Sequence, residues 1–168
     1  MYGNIVPMTA AYAGEMAFWR YEGECSFYNR NGRTDYPEGE AFACLDREGK
    51  LIGHFHFGAD ARIPTVEANV YEGDHLDLGL GLRPELCGKG LGEEFVRLGM
   101  EFGRKQFSAR SFRLSVACFN ERAVKVYERC GFRVEREVTN SYFKNKFYVM
   151  TTGNSPEFHG GTERRDLI

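Results

Sequence analysis

Between Cys87 and Glu93 the chain reads CGKGLGE, with glycines at the alternate positions 88, 90 and 92. Glycine costs conformational entropy wherever the backbone does not need its freedom, so the cluster calls for a job. A strand that runs into a glycine turn and then a helix converges backbone N–H groups on one point. Such a point binds phosphate through amides and the helix dipole, without a metal. Lys89 adds a cation. A Walker loop is excluded, because Gly90 follows Lys89 where Ser or Thr must hold magnesium. A dinucleotide fingerprint is excluded too, since the spacing is G-x-G-x-G and lies deep inside the chain. A pyrophosphate lying against Gly88, Gly90 and Gly92 is the expectation; the plain alternative is a tight turn with no ligand.

The other reactive side chains point away from metal and redox chemistry. The four histidines form no H-E-x-x-H, and the five cysteines form no C-x-x-C. His54 and His56 alternate in HFHF as one face of a half-buried strand would. Cys87 stands at the mouth of a helix, where thiols become acidic, so a nucleophilic role is one reading of it.

The glycine loop needs a strand before it and a helix after it. HLDLGLGLRP supplies the strand: Leu76, Leu78, Leu80 and Leu82 alternate with Asp77, Gly79 and Gly81, so one face is leucine and the other nearly bare. Leu91, Phe95, Leu98 and Phe102 recur at helical spacing, with Glu93 and Glu94 in the first turn where the dipole favours acids. Upstream, a helix is expected from Thr9, its N-cap, to about Arg20, then a hairpin in AFACLDREGKLIGHFHFG. Downstream come the strand SFRLSVACF, a helix capped by Asn120 and ended by Gly131, and a strand pair in FRVEREVT and SYFKNKFYVMTT. The pattern is α+β or mixed α/β, with a mixed, mostly antiparallel sheet of about six to seven strands.

At 168 residues, 42% hydrophobic and 27% charged, the chain has the size and composition of one globular domain, expected over 1–152, with a polar, loosely ordered tail over 153–168. A net charge of −2 carries no footprint for nucleic acid or an anionic membrane. The opening residues lack a basic-then-apolar leader, and unpaired cysteines suit a reducing compartment, so a cytoplasmic location is expected.

Two blocks, CGKGLG at 87–92 and NERAVKVYERCGF at 120–132, stand at a separation similar to that in the GNAT superfamily of acetyl-CoA-dependent N-acetyltransferases. The chain resembles that family closely from Leu76 to Phe132. The resemblance implies the GNAT fold, acetyl-CoA as cosubstrate and no metal. It implies that Cys87, Gly88, Lys89, Gly90, Leu91, Gly92 and Glu93 hold the coenzyme pyrophosphate. Leu80, Gly81 and Leu82 would pair with the pantetheine arm, a backbone N–H there would polarise the thioester carbonyl, and Asn120 would bond the cofactor. Tyr127 would protonate the departing thiolate as general acid; its alternative is a core aromatic.

Two positions depart from the family pattern. Ser115 stands where relatives that acetylate protein N-termini carry a glutamate, so Asp77 becomes the candidate base and His75 the second choice, with loss of the proton to solvent as a third route. Cys87 stands where relatives carry Arg or Gln, which leaves the cradle to backbone N–H groups and Lys89. Direct transfer needs no thiol nucleophile. On the acceptor side Glu22, Glu24 and Tyr28 interleave with aromatics in FWRYEGECSFYN, a mixture suited to a cationic amine. The acceptor stays open between a small-molecule amine, including aminoglycoside-like or polyamine compounds, and a protein N-terminus. Two rivals remain: a catalytically weak acyl-CoA-binding module, and transfer of a longer acyl chain into space beside Gly79 and Gly81. Homodimerisation is left open.

Overall fold

The computed structural model describes residues 2–153. Seven strands, β1 (Tyr2–Pro7), β2 (Ala41–Asp46), β3 (Leu51–Phe57), β4 (Leu76–Leu82), β5 (Phe112–Ala117), β6 (Phe132–Thr139) and β7 (Lys146–Thr152), form one sheet. Their spatial order is β1-β2-β3-β4-β5-β7-β6. Every neighbouring pair is antiparallel except β4 and β5, which run parallel. Helix α1 (Ala10–Met16) follows β1, α2 (Gly92–Phe107) links β4 to β5, and α3 (Glu121–Arg129) links β5 to β6. Short 3-10 turns occupy Gly23–Tyr28, Gly58–Ala61 and Pro84–Leu86. Among the described residues no helix is long and apolar enough to cross a membrane.

Strand alternation sorts side chains into two layers. Phe42, Cys44, Phe55 and Phe57 enter the main core beneath α2 and α3. Ala41 and Ala43 point the other way, into a second cluster with Ala13, Met16 and Trp19. His54 and His56 share that second face, as HFHF implies. Two glycines set how closely α2 lies on the sheet. A methyl on Gly99 would run into Phe55, and one on Gly103 into Phe112 and Phe57. The hairpin is closed by Asp46, whose carboxylate accepts the amides of Glu48 and Lys50 at 2.9 and 2.8 Å. A third cluster, with Val70, Ala117, Val138 and Phe147, covers the far end of the sheet opposite the helices.

The expected caps are present. Thr9 accepts the Tyr12 amide at 3.3 Å, Asn120 accepts the Ala123 amide at 3.4 Å, and Gly131 takes the left-handed conformation at φ 93°. Two elements differ from expectation. β1 was not foreseen, because its pairing slips between Tyr2 and Ile5 and an edge strand needs no regular alternation. α1 ends at Met16, four residues early; the Trp19 amide turns back to the Met16 carbonyl at 3.1 Å, yet Trp19 is still buried. The expected loose tail lies, from residue 154 on, outside the described residues.

Candidate active site

β4 and β5 begin as partners and then part. Their register holds only at Leu76↔Phe112 and Asp77↔Arg113. Beyond it β4 stays bonded to β3 and β5 to β7, so the two strands splay into a wedge. The ladders show what lines it. The Arg83 amide bonds the Ile52 carbonyl, so Gly79 and Gly81 direct their backbone groups to β3, and Leu80 and Leu82 direct theirs into the wedge. The same alternation, set by the Cys118 amide on the Lys146 carbonyl, turns the backbone of Ser115 and Ala117 into the wedge from β5.

At the open end of β4 lies the glycine loop. Gly88 and Gly90 take φ values of 73° and 76°, which explains why glycine stands there. Gly90 has open space where a side chain would be. At Gly88, Arg122 Nη1 sits 2.6 Å from the position of an added Cβ, so a guanidinium from the first turn of α3 overhangs the loop. Arg122 was not foreseen; only its place two residues after the cap Asn120 could have signalled it. Cys87 reaches back toward the Leu82 and Arg83 carbonyls at 3.7 and 3.6 Å. Burial pushes its thiol pKa up, against the opposing pull of Arg122, which disfavours a thiolate. Glu93 pairs with Arg97 at 3.0 Å, one turn along α2.

An extended edge of backbone amides running into an amide-lined loop with a cation is a site for a ligand that carries amides and a pyrophosphate. The model of the acetyltransferase (GNAT) family matches residues 8–132. The chain belongs to the GNAT family. It is 34% identical over 67 residues to the spermidine N(1)-acetyltransferase of Escherichia coli (strain K12), a match covering 40% of this chain and 36% of that protein. The chain thus spans about a third of the length of the curated relatives it matches. Among solved structures it is similar to a chimera of the Vibrio cholerae spermidine N-acetyltransferase SpeG and hSSAT (TM-score 0.63, 18% identity, 89% of this chain and 93% of that one). It is also similar to spermidine/spermine N-acetyltransferase SpeG from Vibrio cholerae in complex with manganese ions (TM-score 0.62, 19% identity, 88% and 90% covered). These structures share this chain's fold.

Coenzyme A, the group this family uses, fits the wedge and loop: Leu80 and Leu82 would meet its arm, and the 88–92 loop with Arg122 its phosphates. Tyr127 lies on α3, packed against the main core. Burial, with Tyr28 adding, pushes its pKa up, so it carries its proton at neutral pH. Its ring lies edge-on to Phe132 with centroids 6.0 Å apart, and no described residue hydrogen-bonds its hydroxyl. Asn120 caps α3 and also meets the Tyr28 hydroxyl.

Tyr28, expected at the amine pocket, lines a recess with His54 and Arg30, and its hydroxyl also reaches the wedge, where it accepts the Ala117 amide at 3.4 Å. Tyr21 donates to the Leu82 carbonyl at 2.7 Å from the other side. The segment from Tyr21 to Tyr28 therefore bridges the splayed strands. Glu22 and Glu24 on this segment are exposed, and neither lines the two cavities beside His54.

The base assignment meets an obstacle. Asp77 does not stand on an open face; it is 2% exposed, and both oxygens are engaged. Arg113 donates to it through Nε and Nη2 at 2.6 and 2.8 Å, and Arg62 through Nε at 2.8 Å. The apparent bareness came from reading one strand without its neighbours. His75 has a buried Nδ1 without a hydrogen-bond partner. Ser115 bonds the Tyr71 hydroxyl at 2.9 Å. The space foreseen beside Gly81 is filled by the His54 ring, which leaves no room there for a long acyl chain.

Proposed function

We propose that this chain transfers an acetyl group from acetyl-CoA to a primary amine, with both bound at once. The observation that carries the reading is the parting of β4 from β5 directly before the glycine loop, with the Tyr127 hydroxyl on α3 left without a hydrogen-bond partner among the described residues. Acetyl-CoA bound there supplies an acetyl thioester and leaves as a thiol. The chain's own residues do the rest. Backbone N–H groups at Leu80 and Leu82 hold the arm and offer hydrogen bonds to the carbonyl being attacked. Loop amides and Arg122 hold phosphate. Tyr127, kept protonated by burial, gives its proton to the departing sulfur.

Thiol release from acetyl-CoA across an amine panel tests this, with spermidine included because relatives are named for it. The wild type should release thiol with at least one amine, and Tyr127→Phe should lower kcat by roughly 10²-fold. Tight coenzyme binding without thiol release from any amine would mean a binding module instead.

A further inference from the structure

A cavity of about 310 Å³ opens against the Gly79 face of β4, lined by Arg30, Arg33, His54, His56, Asp60 and Arg62 among others. Arg30 and His54 also line a narrower recess beside it, with Trp19, Tyr21 and Tyr28. Through Tyr21 and Tyr28 that recess borders the Leu82 and Ala117 edges of the wedge. Cavity and wedge are therefore neighbours.

The cavity is rich in cations. Arg30 spends Nε and Nη2 on the Arg33 and Asp35 carbonyls, at 3.0 and 2.6 Å. Asp35 lies 3.9 Å from Arg30 with its side chain 85% exposed, which makes it a weak partner. Arg62 is held by Asp77. The Arg33 guanidinium has no partner among the described residues. In the recess, Trp19 Nε1 and His54 Nδ1 are buried without a hydrogen-bond partner. Buried polar atoms left unpaired are costly, and an indole N–H can be satisfied only by an acceptor.

One group here can move a proton. His56 is 8% exposed, and its Nδ1 lies 2.6 Å from Asp60 Oδ2. That hydrogen bond holds the Asp60 carboxyl below its usual range, so Asp60 is ionised and keeps the imidazole proton on Nδ1. Nε2 is then the basic nitrogen. We propose that this cavity is the acceptor site, that it takes a primary amine bearing a carboxylate or a similar anion, and that His56, oriented by Asp60, removes the ammonium proton.

This inference rests on the acetyl-transfer reading and names the acceptor class. Arg33, which lines the cavity, receives the anion, and the unpaired Trp19 N–H lies in the narrower recess beside it. The ammonium gives one proton to His56 Nε2, leaving a neutral amine and an imidazolium paired with Asp60. Charges around His56 come from several elements. Asp60 and Asp35 are the acidic groups that line the cavity with it, and Arg30, Arg33 and Arg62 the basic ones. His54, its neighbour on β3, stays neutral because burial, then His56 and Arg30, hold its pKa well below the ordinary value.

Initial rates with α-amino acids, their matching amides and spermidine test the class. Amino acids should exceed their amides roughly tenfold in kcat/KM. Arg33→Ala, an exposed substitution, should erase that margin by raising the acceptor KM and leave the acetyl-CoA KM alone. His56→Gln and Asp60→Asn should each lower kcat by roughly 10²-fold and flatten the acidic limb of the pH–rate profile. Equal or better use of amides or spermidine, or a ranking untouched by Arg33→Ala, overturns the assignment. So does an unchanged acidic limb in both His56→Gln and Asp60→Asn. If no amine releases thiol, the acetyl-transfer reading falls, and calorimetric titration with the amino acids decides the cavity. Binding lost on Arg33→Ala upholds it as an amine-and-anion site; no binding to wild type overturns it.

Discussion

Replacing Asp77 by Asn separates a carboxylate that holds the fold from one that moves a proton. The Asp77 and Arg113 side chains are 3% and 2% exposed, and their closest contact is 2.6 Å. Asn preserves the shape and removes the charge. Arg113 is then left as a buried cation facing the Glu72 carbonyl at 2.6 Å and the Tyr71 ring at 5.1 Å. Stripping one partner from a buried pair costs about 3–5 kcal/mol. For a chain of this size each kcal/mol moves Tm by roughly 2–4 °C, so the midpoint should fall by about 6–20 °C. Thermal unfolding followed by circular dichroism reads this loss. Rates are then compared at a temperature where both proteins are folded, and kcat should stay within about fivefold of wild type, since general-base loss costs 10²-fold or more. A Tm within about 2 °C of wild type, with kcat down by 10²-fold, would refute the structural assignment and restore Asp77 as base.

Arg122→Ala should weaken acetyl-CoA binding by roughly tenfold, through loss of a charge-assisted phosphate contact. Cys87→Arg, which returns a guanidinium to the other side of Gly88, should tighten binding modestly in the wild type and recover part of the loss in Arg122→Ala; equilibrium dialysis reads both. His54 makes stability pH-dependent. Burial depresses its folded pKa well below the ordinary 6.5. The unfolded chain therefore takes up a proton below about pH 6.5 that the folded chain refuses. Its contribution is full above that pH and falls by about 1.4 kcal/mol per unit below it. Urea midpoints at pH 7 and pH 5 should show this loss in wild type, and His54→Gln should diminish it.

Local pattern made much of the fold legible. The hairpin over β2 and β3, the helix after the glycine loop, the Asn120 and Gly131 caps and the β6–β7 pair depend on turn residues and periodicity, which act over a few residues. The glycine loop was legible for the same reason: positive φ at Gly88 and Gly90 is a backbone demand that only glycine meets cheaply. β1 was missed because an edge strand buries little and carries no clear alternation.

Side-chain partners across the sheet were out of reach. Asp77 alternates with two glycines and so reads as exposed, until β5 brings Arg113 onto it and the 58–61 turn leads Arg62 there. His54 and His56 read as one face of a strand. What that face meets, Asp60 below one ring and Gly81 beneath the other, depends on how β3 and β4 register. Arg122 at the loop and Tyr28 in the wedge likewise come from contacts between residues distant in the chain. By itself the sequence determined which segments bend, coil and extend, and that a glycine turn with left-handed backbone follows β4, because those are short-range properties of the backbone. Only the tertiary structure decided which charges face one another and which polar atoms are left wanting a ligand, because burial and pairing arise when distant elements pack.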